Sequence, residues 1–150
     1  MSESLKTKEI TVLDKNVRLL QLAEGGFRTS LDSVMLAAAV PAKAGDHVLD
    51  MGCGVGGASF CMLYRMPQVR VTGVEWESAY YDLAMRNADL NNCKDRAEFF
   101  CTDIRAFREN EKPIYDHVMV NPPYREAGHH TPSPDRIKAQ ALGHQEEDLT

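Results

Sequence analysis

Val48-Leu49-Asp50-Met51-Gly52-Cys53-Gly54-Val55-Gly56-Gly57 is the stretch that decides the fold. The run His47-Val48-Leu49-Asp50 reads as a buried strand. The glycines after it let the backbone turn sharply into a helix and approach a ligand closely. That helix is expected over roughly Ala58–Arg65 and stops before Pro67. Val69–Glu75 reads as a second strand. Ser78 then caps a helix through about Leu90, with Tyr80, Leu83, Ala84, Asn87 and Ala88 on one stripe and Asn91-Asn92 ending it. Ala97–Cys101 is a third strand and Tyr115–Val120 a fourth. Strand–helix alternation with short loops implies an α/β fold with a parallel, doubly wound sheet.

Upstream of this core, residues 1–26 form a polar N-terminal extension. A hairpin is expected there, around Thr11-Val12-Leu13 and Arg18-Leu19-Leu20, joined through Asp14-Lys15-Asn16. Residues 27–150 form the main domain. Within it, Leu31–Ala39 is a helix ending before Pro41, with Ser30 as its N-cap and Asp32 in its first turn. The 150 residues are enough for one domain with a real core, and 43% apolar and 26% charged residues are ordinary for a globular chain. No apolar run reaches membrane-spanning length and the first residues lack a signal-peptide stretch, so a cytoplasmic location is expected. Cys53, Cys61, Cys93 and Cys101 show no CxxC spacing, which suggests reduced thiols rather than a zinc site or disulfide framework. The net charge of −5 argues against a protein that coats nucleic acid, while local basic clusters leave room for a nucleic-acid enzyme.

Acids stand at the ends of three consecutive strands: Asp50, Glu75 and Asp103. Taken alone, Gly52-x-Gly54-x-x-Gly57 with Glu75 also fits a dinucleotide fingerprint. Asp50 shifts the balance, because a carboxylate before the first glycine would repel a pyrophosphate. It suits a cationic ligand group. S-adenosyl-L-methionine carries an ammonium and a sulfonium and no phosphate. Glu75 is placed to grip ribose hydroxyls and Asp103 to accept from an adenine amine; a loop-starting Asp that bonds its own backbone is the plainer reading of Asp103.

Asn121-Pro122-Pro123-Tyr124 follows the fourth strand directly. Two prolines force the chain out of the sheet in a stiff turn. The turn sets an amide, a carbonyl and an aromatic ring at the sheet's carboxyl edge, where ligands of open α/β sheets bind. Two acceptors, the Asn121 side-chain oxygen and the Pro122 carbonyl, suit the hydrogens of a planar NH2 group. Tyr124 would stack on its ring, a contact of roughly 1–3 kcal/mol.

The assembled pattern resembles the class I S-adenosylmethionine-dependent methyltransferases, whose fold is Rossmann-like. Asp50–Gly56 matches their glycine motif, Glu75 their ribose acid, Asp103 their adenine acid, and Asn121–Tyr124 their amino-methylating signature. Among them the chain is most similar to bacterial tRNA adenine-N6 methyltransferases acting on valine tRNA, which carry a segment like Gly26–Leu36 before the cofactor motif. The resemblance implies catalytic roles for Asn121, Pro122 and Tyr124. It places Asp50, Gly52, Gly54, Glu75, Asp103, Thr29 and Asp32 at the cofactor, with Pro123 and Phe27 beside the substrate, and implies no metal. The implied partner is an RNA, in the first instance tRNA, and the implied product is S-adenosyl-L-homocysteine. Trp76 is a further candidate, covering the adenine edge.

Domains of this class carry seven strands, and only four are readable here. The expectation is therefore a domain truncated after the fourth strand, with an apolar sheet edge open to association. Two other functions fit the same residues: a protein-glutamine methyltransferase of release factors, which shares the Asn-Pro-Pro-Tyr signature, and a nucleotide-binding oxidoreductase or non-catalytic nucleotide-cofactor-binding module.

Overall fold

The computed structural model describes residues 4–25, 29–107 and 115–122. Its elements in chain order are β1 (Thr7–Val12), β2 (Val17–Leu22), α1 (Leu31–Ala39), β3 (His47–Met51), α2 (Gly57–Arg65), β4 (Arg70–Glu75), α3 (Ser78–Leu90), β5 (Ala97–Cys101) and β6 (His117–Val120). The last four strands form one parallel sheet in the order β5-β4-β3-β6. The chain steps outward from β3 to β5 and then crosses back to pair β6 on the other side of β3. That reversal makes a topological switch point beside β3, where α/β sheets open a crevice at their carboxyl edge.

β1 and β2 form a separate antiparallel hairpin, longer than the expected one, with Val12 opposite Val17 and Thr7 opposite Leu22. The hairpin packs into the same core as the sheet. Val17 and Leu19 are buried with Val48, Val71, Phe60, Met62, Leu63, Phe99 and Met119. The rings of Phe60 and Phe99 lie 5.8 Å apart, joining α2 to β5. The expected stripe of α3 is the buried one: Tyr80, Leu83, Ala84, Asn87 and Ala88. At the far end of α1, the Arg65 guanidinium donates to the Ala37 and Val40 carbonyls at 2.9 and 2.7 Å, satisfying acceptors that a helix end leaves unpaired.

The structure corrects several local expectations. Ser30 occupies the N-cap position of α1 in extended backbone, but its hydroxyl makes no capping bond. Glu77, not Ser78, precedes α3 as its cap residue. β6 begins at His117; Tyr115 lies before it and packs edge-on against His47, ring centroids 4.7 Å apart. Cys53, Cys61 and Cys93 are buried free thiols and Cys101 is an exposed one. No helix among the described residues is long and apolar enough to cross a membrane. Among the described residues β6 is an edge strand. Met119 faces the core while Val118 and Val120 are 54% and 47% exposed.

Candidate active site at the carboxyl edge

Parallel pairing sets the strand ends level. Met51 is opposite Val74 on one side and Val120 on the other, and Glu75 is opposite Cys101. The residues just beyond these positions are the glycine turn, Trp76, Asp103 and Asn121, so the sheet brings together most of the residues singled out from the sequence.

The glycine turn folds back over the end of β4. The Gly52 and Cys53 amides both donate to the Val74 carbonyl, at 2.8 and 3.0 Å. Gly52 and Gly54 have φ of 68° and 57°, a backbone conformation that other residues rarely adopt, and open space lies beside each Cα. A ligand can approach the backbone closely there. Glu75 underpins the turn: it is 7% exposed, one oxygen accepts from the Gly54 amide at 2.9 Å, and the other from the Glu77 amide at 3.2 Å. Burial raises its pKa, and the bonds from the backbone amides pull it back. Each oxygen keeps a further lone pair for a ligand hydroxyl.

Asp50 lies one residue inside the end of β3 and is 2% exposed. The Ser59 hydroxyl on α2 donates to its Oδ2 at 2.6 Å. Burial pushes the carboxyl pKa up to about 6; the Ser59 bond opposes this and the Glu75 charge adds to it. The Asp50 charge therefore sits beneath the glycine turn rather than on its surface. The buried Cys53 thiol above it is pushed well up, by burial first and by Asp50 and Glu75 next.

Asp103 is half-buried after β5. Its carboxylate accepts from the Arg105 amide at 2.8 Å and from the Arg105 guanidinium at 2.7–3.2 Å. This geometry follows the plainer, backbone-bonded reading of that residue, and any adenine amine would share the carboxylate with Arg105. Trp76 lies between, half-buried, its carbonyl 3.8 Å from the Cys101 thiol.

The other wall comes from the start of α1. The Thr29 amide donates to Gln21 Oε1 at 3.2 Å. Thr29 and Ser33 press on Gly57: a Cβ there would come within 2.8 Å of Thr29 Cγ2 and 3.2 Å of Ser33 Oγ. Asp32 is exposed in the first turn of α1. Asn121 follows β6, half-buried, and its Nδ2 donates to Ser33 Oγ at 3.4 Å. Pro122 is exposed next to it. Phe27, Pro123 and Tyr124 lie outside the described residues. Among the described residues there is no cluster of His, Cys, Asp or Glu that could hold a metal ion.

The structure adds residues that sequence reasoning did not place at the site: Ser33, Ser59, Gln21 and Asn87. Asn87 alone carried a signal, an amide on an otherwise apolar stripe. A buried amide requires partners, and the sequence does not say which.

Comparison with known proteins fits this geometry. Residues 27–145 match the family described as the methyltransferase small domain. The tRNA1(Val) (adenine(37)-N6)-methyltransferase of Yersinia pestis strain Pestoides F is 38% identical over 99 residues, 65% of this chain and 40% of that protein. The protein of the same name from Yersinia pseudotuberculosis serotype O:1b gives the same figures. The chain thus spans about two fifths of the length of these curated relatives. Among solved structures, Pyrococcus horikoshii TYW2 in complex with MeSAdo superposes with a TM-score of 0.59 at 21% identity, over 70% of this chain and 39% of that one. The Pyrococcus abyssi tRNA (uracil-54, C5)-methyltransferase in complex with S-adenosyl-L-homocysteine gives 0.58 at 24% identity, over 75% and 27%. These likenesses establish the Rossmann-like architecture.

Proposed function

The chain belongs to the methyltransferase small domain family, and from that premise we propose that it serves an S-adenosylmethionine-dependent N-methyltransferase acting on the exocyclic amine of adenine in RNA, with tRNA as the substrate. The observation that carries the reading is the Asn121 amide at the switch-point edge. Its nitrogen is turned to Ser33, which leaves the amide oxygen as an acceptor for a substrate NH2.

The residues present fit the methyl donor. Gly52 and Gly54 leave space for close backbone contact, Glu75 supplies a buried carboxylate for ribose hydroxyls, and Asp50 favours a cationic group over a pyrophosphate. When bound, the donor supplies an electrophilic methyl on a sulfonium. The remaining cofactor roles in this reading belong to Thr29, Asp32 and Asp103. Asn121 and the Pro122 carbonyl hold the two amine hydrogens, which localises the nitrogen lone pair and aims it. Stacking on the base is the role this reading gives Tyr124, and substrate contact the role it gives Pro123 and Phe27. Positioning supplies most of the rate, and no strong base is needed, because the amine becomes acidic only as the C–N bond forms. A paired adenine must leave its stack to reach such a pocket, so the target is flipped out or already in a loop.

The same reading places the protein in the cytoplasm, treats residues 1–26 as an extension of the 27–150 domain, and allows self-association through the exposed face of β6. The relatives' names support the RNA substrate. Incubating labelled S-adenosylmethionine with bulk tRNA and with a release factor tests it: label in tRNA adenine is expected. Label in release-factor glutamine would transfer the Asn121 pocket to a protein amide. Calorimetry showing tight NAD binding with no response to S-adenosylhomocysteine would falsify the methyltransferase assignment and favour a binding module.

A further inference from the structure

β2 meets α3 without a strand between them. On its side away from β1, the Arg18 amide donates to Asn91 Oδ1 at 2.9 Å and the Arg18 carbonyl accepts from Asn91 Nδ2 at 2.7 Å. Two residues on, the Leu20 amide donates to Asn87 Oδ1 at 2.7 Å and the Leu20 carbonyl accepts from Asn87 Nδ2 at 3.0 Å. The spacings agree: residues i and i+2 of a strand direct their backbone groups to one edge, and residues i and i+4 of a helix share one face. Two asparagines thus take the place of a neighbouring strand.

Asn87 does one thing that Asn91 does not. Its Nδ2 also donates to the Val55 carbonyl, inside the glycine turn, at 2.9 Å. Asn87 is fully buried, at 0% exposure. The residue of β2 next to Leu20, Gln21, is 2% exposed and accepts from the amide of Thr29, whose side chain lies against Gly57 at the far end of the same turn. Consecutive residues of one strand are therefore tied to both sides of the glycine turn, one through Asn87 and one through Gln21.

We infer that the N-terminal hairpin is a working part of the cofactor site, with Asn87 and Gln21 as positioning residues that hold the two walls of the glycine turn to β2. The inference rests on the reading of that turn as the cofactor site. A turn rich in glycine has many accessible conformations, and Glu75 and the Val74 carbonyl hold it only from the sheet side. Asn87 holds it from the hairpin side, at the one carbonyl between Gly54 and Gly56. Losing that bond leaves the Val55 carbonyl buried and unpaired, and the turn must shift to find a new partner.

The test compares Asn87→Ala, Asn87→Asp, Gln21→Met and Asn91→Ala in the full chain, by S-adenosylhomocysteine calorimetry and by amide hydrogen exchange. Asn87→Asp keeps the acceptor for the Leu20 amide and loses both donated bonds. The expected result is affinity weaker by about tenfold for both Asn87 variants and for Gln21→Met, the value of one buried hydrogen bond. Exchange at Gly54, Val55 and Gly56 should speed up while β3 and β4 stay protected. Asn91→Ala, which loosens the hairpin away from the turn, should leave affinity unchanged. Equal losses for the Asn87 and Asn91 variants would overturn the inference, since the effect would then be general loosening. So would unchanged exchange at the turn in Asn87→Ala, even where the cofactor analogue binds. If Asn87→Ala does not fold, Gln21→Met carries the same comparison. Failure of the unaltered chain to bind S-adenosylhomocysteine would instead sink the underlying cofactor reading, and with it this inference.

Discussion

Asn121 and Ser33 stand 88 positions apart in the chain and meet at the carboxyl edge of the sheet, Asn121 Nδ2 donating to Ser33 Oγ over 3.4 Å. The bond tethers the amide with its nitrogen on the Ser33 hydroxyl. With the nitrogen on Ser33, the oxygen is presented as an acceptor; with the amide flipped, an N–H would face the substrate amine and repel it.

Asn121→Ala removes the acceptor altogether. Methyl transfer should fall by on the order of 10²–10³-fold, the usual effect of losing a polar group aimed at the reacting centre. S-adenosylhomocysteine affinity, measured by calorimetry, should stay nearly unaltered. A collapse of affinity would mean that Asn121 serves the cofactor instead.

Ser33→Ala removes only the orienting bond. The amide then loses its tether at the sheet edge, and kcat should drop by about 3–10-fold, consistent with one hydrogen bond of modest strength. KM and melting temperature should change little, because the hydroxyl makes one long bond. An unchanged kcat would show that the amide is oriented by something else.

Asp50 predicts a pH dependence. Burial pushes its pKa up to about 6 from an ordinary 3.8, so the folded chain holds the proton more tightly than the unfolded one. The Asp50 contribution to stability is largest below the ordinary value. It falls as pH rises towards about 6 and stays low above it, by on the order of 3 kcal/mol at most. Asp50→Asn should remove that fall, so its stability relative to the unaltered chain should improve between pH 4 and 7 in denaturant titrations. S-adenosylhomocysteine binding should weaken in the unaltered chain as pH drops through 6 and lose that dependence in the variant. A flat profile in both would deny Asp50 its charge beneath the turn.

Gly57→Ala tests the packing of the two helix starts. The new methyl would lie 2.8–2.9 Å from the Thr29 side chain and 3.2 Å from Ser33 Oγ, so these side chains or the segment that carries them must shift. A loss of about 1–3 kcal/mol in denaturant stability is expected from overpacking of this kind, together with weaker cofactor binding. Full stability would mean that the Thr29 side chain rotates away at no cost.

Lysines at Val118 and Val120 test association through the edge of β6, since charged side chains on an edge strand discourage pairing. Any concentration-dependent association of the unaltered chain in sedimentation velocity should be reduced in the Val118→Lys/Val120→Lys variant, with melting temperature within a few degrees. Unchanged association would move the contact elsewhere.

Much of this protein was legible in the sequence, because the relevant constraints act over short stretches. β3 and the glycine turn follow from an apolar run meeting residues that tolerate positive φ, α1 from helix formers that end before Pro41, and α3 from an apolar stripe of period 3.6. The level strand ends then bring the neighbourhoods of Asp50, Glu75, Asp103 and Asn121 to one edge. Short-range signals erred where a side chain had a choice, as when Ser30 sat at a cap position without capping.

The sequence by itself determined the element order, the turn that a ligand backbone can approach, and the residue types at the strand ends. Only the tertiary structure decided that Asp50 is sealed beneath that turn against Ser59, that Ser33 holds the Asn121 nitrogen, and that Asn87 and Gln21 tie the hairpin to both walls of the site. The physical reason is range. Backbone conformation and burial periodicity are written in neighbouring residues, whereas the partner of a buried polar group is whichever distant segment packing brings within about 3 Å.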